Sequence, residues 1–330
     1  MGRILITGVA GFIGSKFAGH ILDTHGGEYE VTGIDNLSGG YIENVPDGVE
    51  FHNLDLAKDD LSPVFSGRHY DYVYHLASYA AEGISPWMRT YVYSNNILST
   101  SNVVNACINH DAGKLIFTSS MSVYGDSGRE FNESDTPNPQ DPYAVSKYAS
   151  ELDIRTAGIH HDLDWCILRP HNVYGEGQCL WDRYRNVFGI WMRKTLDNDI
   201  PIIYGTGEQV RCFTYVKDIM EPMLTAGTSP WTSWQTINLG GTTPCTLNQA
   251  AETFQTITDC RDFKYMEARK EIFSGIPSFQ KSVDLLAYGG DTPLKEGLTN
   301  MWEWARTQPR RDELKFDETE IDKGLHGYWK

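Results

Sequence analysis

Hydrophobic and polar positions alternate between two periods over the first 170 residues. Short apolar runs, expected as buried strands, fall at 2–7, 29–34, 49–53, 71–76, 114–118 and 164–169. Between them, helical spacing predicts helices over 11–24, about 57–65, 88–110 and 143–161. The first unit shows the pattern. Ile4-Leu5-Ile6 reads as a strand, and Ile13, Phe17, Ile21 and Leu22 mark one face of the helix after it. Strand and helix in alternation predict a doubly wound α/β fold, a parallel sheet covered on both faces. After residue 170 the pattern loosens. Helices are expected near 183–196, 217–226, 247–258, 282–288 and 293–306, with Pro293 in the first turn of the last, and strands at 201–204 and 211–215. Gly205-Thr206-Gly207 and Gly240-Gly241 punctuate this half.

The turn after the first strand carries chemistry. Gly8-Val9-Ala10-Gly11-Phe12-Ile13-Gly14 places glycines between a strand and a helix. There they permit a tight turn, a close backbone approach and close helix packing, while the helix N-terminus faces a pyrophosphate. Asp35 ends the second apolar run, where a carboxylate hydrogen-bonds an adenosine ribose and repels a 2′-phosphate. NAD is therefore the expected cofactor. The fold expected is Rossmann-like, with residues 1–175 as an NAD-binding domain continued by segments about 205–245. Residues 176–330 mainly form a smaller, interleaved substrate-binding domain.

Composition changes the picture little. The chain of 330 residues is 40% hydrophobic and 22% charged, ordinary for a globular protein. The net charge of −16 and short basic clusters, Arg310-Arg311 being the densest, argue against nucleic acid as a partner. No apolar stretch reaches the length of a membrane span and the chain enters a strand at once, so no membrane partner, signal peptide or anchor is expected. Cysteines 107, 166, 179, 212, 245 and 260 form no metal-binding or paired pattern, which fits reduced thiols and a cytoplasmic location. His160-His161 lacks companions, so no metal site is expected. The charged last 20 residues, with Tyr328 and Trp329, read as a surface tail or as an arm packed on the body or a neighbouring subunit.

Tyr143 and Lys147, four residues apart on a predicted helix, share one face. An ammonium beside a phenol lowers its pKa, which would let Tyr143 act as a general base on a substrate hydroxyl. Thr118-Ser119-Ser120 ends the fifth predicted strand, at the sheet edge where doubly wound folds bind ligands. A hydroxyl there could bond the same substrate oxygen.

With these residues in place the chain resembles the extended short-chain dehydrogenase/reductase family, the NAD-dependent nucleotide-sugar epimerases and dehydratases, and among them most the UDP-hexose 4-epimerases. The resemblance runs through nearly the whole chain. It includes Asp35-Asn36-Leu37, Asp55-Leu56, His75-Leu76-Ala77, Asn95-Asn96-Ile97, Val123-Tyr124-Gly125 and Arg169-Pro170-His171-Asn172. It continues through Arg211-Cys212-Phe213 with Asp218 to Thr292-Pro293-Leu294-Lys295-Glu296-Gly297-Leu298. It implies that Gly8, Gly11, Phe12, Ile13 and Gly14 cradle the pyrophosphate, that Asp35 and Asn36 hold the ribose, and that Asp55 and Leu56 lie by the adenine. Leu76, Ala77, Ser78, Asn95 and His171 would line the cofactor, and Lys147 would reach the nicotinamide ribose. Tyr143 would be the base and Ser120 its hydroxyl partner. Asn172, Asn186, Arg211 and Arg269 would bind the diphosphate, and Ile202 and Tyr204 would flank the nucleobase.

The resemblance also implies which reaction follows. Dehydratases of the family carry an Asp-Glu pair after the hydroxyl residue, decarboxylases a Glu one residue later, and 3,5-epimerases a cysteine where Ser122 stands. This chain has Met121 and Ser122 there, and neither moves a proton at neutral pH. The expected function is therefore epimerisation of a nucleotide-diphosphate sugar, a UDP-sugar favoured, at C4 through a 4-keto intermediate. The alternatives are a 3,5-epimerase, an oxidoreductase or a non-catalytic NAD-binding regulator. Ala80 replaces a lysine of many UDP-galactose epimerases. Glu82 sits where it could touch the sugar, and Glu82 and Cys179 are the candidates for proton chemistry at another ring carbon. The helices near 88–110 and 143–161 are those through which family members pair, so a homodimer is expected.

Overall fold

The structure, a computed structural model, describes residues 1–330 except 127, 129, 270, 291, 313–318, 326 and 328–330. A seven-stranded, wholly parallel sheet forms its centre. The strands are β1 (Gly2–Thr7), β2 (Tyr29–Asp35), β3 (Glu50–Asn53), β4 (Tyr72–His75), β5 (Lys114–Thr118), β6 (Asp164–Pro170) and β7 (Gln235–Leu239). Their order is β7-β6-β5-β4-β1-β2-β3. The order reverses between β1 and β4, and that reversal opens a crevice at the strand carboxyl ends. Successive strand residues face opposite layers. Ile4 and Ile6 pack with Phe17 and Ile21 on one side, while Leu5 packs with Val103, Cys107 and Ile154 on the other.

Helix α1 (Phe12–His25) follows β1 as expected. The helix expected over 88–110 is broken into α2 (Arg89–Tyr93), one π-helical turn over Ser94–Leu98, and α3 (Ser99–Asn109). Such bulges gather at functional sites. Here Ser99 Oγ and Thr100 Oγ1 donate to the carbonyls of Asn95 and Asn96, both at 2.5 Å, and Asn96 is buried inward. α4 (Pro142–His161) is capped by Asp141, whose carboxylate accepts the Ala144 N–H at 3.0 Å. The helix expected over 57–65 is a single turn, Ser62–Phe65.

The strand at β7 escapes the periodicity because Gln235, Thr236 and Asn238 dilute its apolar pattern. Asn238 is buried, accepting from Tyr124 at 2.7 Å and donating to the Ser278 carbonyl at 3.1 Å. The second layer rests on α5 (Val187–Leu196), α7 (Leu247–Ile257) and α8 (Leu294–Ala305), while α6 (Met220–Thr228) covers the central sheet beside α1. α5 starts later than expected because Asn186 caps it, and Pro293 is the cap of α8 rather than part of its first turn. The strand expected at 211–215 is two pieces, Val210–Cys212 and Thr214–Tyr215. Tyr174, Phe188, Trp191, Phe254, Leu298 and Trp302 make a separate core there. All six cysteines are free thiols. Among the described residues no helix is long and apolar enough to cross a membrane.

Candidate active site

A cavity of about 1300 Å³ lies along the carboxyl ends of the strands, between the sheet and the second layer. Its size suits two ligands end to end rather than one. Gly8, Gly11, Phe12, Ile13, Gly14, Asp35, Asn36, Asp55, Leu56, Leu76, Ala77, Ser78 and Asn95 line one part. Gly8 has φ +75°, and a Cβ on it would meet the Ala77 backbone at 2.8 Å, so the turn admits no side chain. Gly11 caps α1 without a side chain, leaving the first helical N–H groups for an anion. Asp35 accepts the N–H groups of Leu37 (2.8 Å) and Ala10 (3.1 Å), which orient its carboxylate and leave lone pairs for a ribose diol. Burial raises its pKa, and these N–H groups oppose the rise.

The middle of the cavity holds Ser120 and Tyr143. Ser122 Oγ donates to Ser120 Oγ at 2.9 Å, and the Ser120 hydroxyl acts to lower the pKa of Tyr143. Lys147 is on the same face of α4 as Tyr143, but its Nζ donates to the Thr118 carbonyl at 2.7 Å, and it does not line the cavity. Burial pulls this ammonium down to about 7. Its Nζ lies 6.0 Å from the Tyr143 ring centre, and the net direction of the phenol's pKa is set by other groups. Burial, then the charges of Glu82 and Asp141, push Tyr143 up, opposed by the Ser120 hydrogen bond and the Arg185 charge.

Beneath this set lies a buried pair that sequence reasoning missed. Glu151, on α4, holds Arg169 of β6 by two bonds, at 2.9 and 2.7 Å, and accepts from Ser119 at 2.6 Å. A forked carboxylate–guanidinium pair of this kind fixes the spacing between helix and strand. Asn96 is a second missed anchor. It accepts the Tyr79 N–H (2.8 Å) and donates to Ser146 (2.9 Å), tying the loop after β4 to α4. Neither carries a local sequence signal, because each acts on partners distant in the chain.

The far end contains Asn172, Asn186, Ile202, Tyr204, Arg211 and Arg269, all on the cavity wall. The Arg269 guanidinium lies 3.5 Å from the Tyr204 ring centre, and Arg211 meets Glu271 at 3.4 Å. Asn186 Nδ2 donates to the Val173 carbonyl at 2.7 Å, and Asn172 Nδ2 approaches Met121 Sδ at 3.3 Å. Arg185, in the basic and aromatic stretch 181–186, joins the wall and pairs with Asp182 at 2.8 Å. His171 does not line the cavity. Its ring is fully buried against Phe279, and burial, with the Arg169 charge, pulls its pKa down to about 3, so it is neutral. Cys179 lines the cavity, with its sulfur 3.7 Å from the Tyr41 hydroxyl.

The C-terminal segment 319–325 packs on the body. Glu320 accepts the N–H groups of Thr90 (2.8 Å) and Tyr91 (2.7 Å) and donates its own to the Trp87 carbonyl (3.0 Å). Leu325 is buried with Tyr79, Tyr143 and Tyr184, and Gly324 is part of the cavity wall. Tyr328 and Trp329 lie outside the described residues. Among the described residues His20, His25 and Glu221 could hold a metal, with ligand atoms within 4.8 Å of one another, but none lines the cavity.

Cradle and phenol share one cavity, and that pairing defines the class: a dinucleotide-dependent enzyme that moves hydride and proton at one substrate carbon. The chain belongs to the NAD dependent epimerase/dehydratase family, whose profile matches residues 4–240. Three solved structures illustrate the likeness. The UDP-glucose 4-epimerase of Thermotoga maritima with UDP-glucose is 29% identical, with a TM-score of 0.87 over 92% of this chain and 98% of that one. The UDP-N-acetylglucosamine 4-epimerase of Methanobrevibacter ruminantium is 30% identical, with a TM-score of 0.86 over 93% and 99%. The UDP-glucuronic acid 4-epimerase of Bacillus cereus, with UDP-glucuronic acid and NAD, is 27% identical, with a TM-score of 0.84 over 92% and 99%.

Proposed function

We propose that this chain inverts C4 of a UDP-sugar, with NAD retained through the cycle. The observation that carries the reading is the middle of the cavity. Ser120 and Tyr143 line it together, the Ser120 hydroxyl opposing the rise of the phenol's pKa, and the neighbouring positions hold Met121 and Ser122. Met121 is packed against Asn172, and Ser122 is engaged with Ser120. Neither offers the acid or base that dehydration, decarboxylation or 3,5-epimerisation needs.

NAD fits the cradle. Side-chain-free Gly8, the open N-terminus of α1 and the Asp35 carboxylate are the donors and acceptors that a pyrophosphate and a ribose require. Bound there, NAD would supply the acceptor and later the donor of the C4 hydride. Tyr143 takes the C4 hydroxyl proton, with Ser120 holding the oxygen, and gives the proton back after the 4-keto sugar has presented its other face. Arg211 and Arg269 hold the diphosphate, since a guanidinium fork matches phosphate oxygens. Ile202 and Tyr204 flank the uracil. Lys147 holds the Thr118 carbonyl and so supports the α4 face that presents Tyr143.

The same reading makes the protein a homodimer. Val145, Leu152 and Ile159 repeat every seven residues along α4 and are 38%, 46% and 69% exposed, an apolar stripe suited to a helix-bundle contact. Sedimentation at micromolar concentration is expected to give twice the mass of one chain. The function is tested by mixing the purified protein with UDP-glucose, UDP-N-acetylglucosamine and UDP-glucuronate and following C4 by NMR. Inversion is expected without net NADH release and without solvent deuterium at C3 or C5. Deuterium at those carbons, or stoichiometric NADH, would replace this reading with a 3,5-epimerase or an oxidoreductase.

A further inference from the structure

The sugar end of the cavity carries two carboxylates that the proton transfer does not use. Glu82 opens onto it from the loop after β4, and Asp141 from the cap of α4. Asp141 is held rigidly: its Oδ1 accepts from Ala144 N at 3.0 Å and from Ser85 Oγ at 3.1 Å. Glu82 hydrogen-bonds Ser122, the residue that also holds Ser120. The two carboxylates repel each other, and both act on Tyr143, so they stand around the reacting group rather than at the mouth. The charged groups that face them do not neutralise them. Arg211 attracts Glu82, but it is shared with Glu271 at 3.4 Å and with the Val210 and Phe273 carbonyls. Arg185, which acts on Tyr143 from the other side, pairs with Asp182 at 2.8 Å.

We propose that Glu82 and Asp141 select the sugar, making this enzyme an epimerase of neutral hexose or N-acetylhexosamine substrates that discriminates against uronates. The proposal rests on the 4-epimerase reading above and names its substrate class. A neutral sugar presents hydroxyls, which donate to a carboxylate in short, charge-assisted hydrogen bonds. A uronate would place a third carboxylate against two others inside a protein-enclosed space, where like charges destabilise one another strongly. Desolvation in the cavity wall and then the Asp141 charge push Glu82 up to about 7, while its side chain stays open to the cavity. As pH falls the pair gains a proton and its repulsion of a uronate weakens, so the discrimination is greatest at alkaline pH.

The test measures kcat/KM for C4 inversion of UDP-glucose, UDP-N-acetylglucosamine and UDP-glucuronate by the NAD-loaded protein at pH 8 and pH 6, in wild type and Glu82→Gln. Neutral substrates are expected to exceed the uronate by about tenfold or more at pH 8. That ratio should shrink several-fold at pH 6 and again in the variant. Taking the ratio on one protein cancels any general loss at Tyr143, and the wild-type pH comparison stands even where the variant does not fold. Equal turnover of UDP-glucuronate and UDP-glucose would overturn the selectivity and leave the 4-epimerase reading intact. A preference for neutral sugars that neither pH nor Glu82→Gln alters would overturn the role of the pair. Inversion of none of the three would remove the underlying reading itself.

Discussion

The two ends of the cavity are made of different materials. The cradle depends on a backbone turn, Gly8, Gly11, Phe12, Ile13 and Gly14, and on the Asp35 carboxylate. The sugar and nucleotide end is almost all side chain, assembled from Glu82, Ser120, Asp141, Tyr143, Arg211 and Arg269 on separate loops and strands. Backbone N–H groups are the same whatever residue bears them, so the cradle constrains only where side chains must be absent. The other end can change its substrate by exchanging a residue, without disturbing the sheet. Relatives with this architecture include 4-epimerases solved with UDP-glucose and with UDP-glucuronic acid, which is the variation this division allows.

Four substitutions break or sharpen the contrast. Tyr143→Phe should leave the fold and NAD binding in place and lower kcat by about 10²–10⁴-fold, read by NMR turnover beside calorimetry of NAD binding. Loss of NAD binding along with activity would mean that the two ends are not separable. Glu151→Ala strips Arg169 of its buried partner and Ser119 of its acceptor, and should destabilise by about 3–5 kcal/mol in urea unfolding. Gly14→Ala drives a methyl into the Gly8 carbonyl and should cost about 1–3 kcal/mol and weaken NAD far more than UDP, seen by calorimetry with each ligand. Glu320→Ala removes the acceptor for two solvent-exposed N–H groups at the start of α2 and should cost about 0.5–1.5 kcal/mol, raising the KM for UDP-sugar while the NAD affinity holds. An equal loss of NAD affinity would place the C-terminal segment against the cradle instead.

The contrast also explains what could be read in advance. The glycine turn, Asp35 and six of the seven sheet strands were legible because each depends on neighbours in the chain: an apolar run, a tight turn, a helix start. Tyr143 and Lys147 were legible as a helical pair, yet the net direction of the phenol's shift was not. Whether an ammonium lowers a phenol's pKa depends on what surrounds both, and here Lys147 is spent on Thr118 while Glu82 and Asp141 act the other way. His171 sat in the right motif and was expected at the cofactor, but its ring packs into the core beside Phe279. β7 hid behind a buried Asn238 whose partners, Tyr124 and Ser278, are remote in sequence.

The order of apolar and polar residues, with the glycines that must lack side chains, determined by itself a parallel sheet, a dinucleotide turn and a tyrosine one helical turn from a lysine. Those features arise from contacts within a few residues, where backbone geometry leaves few choices. Only the tertiary structure decided that Glu151 locks Arg169, that the helix after β4 breaks at Asn96, and that two carboxylates surround the reacting phenol. Burial and electrostatic coupling depend on which distant segments meet, and chain order does not state that until the sheet has brought them together.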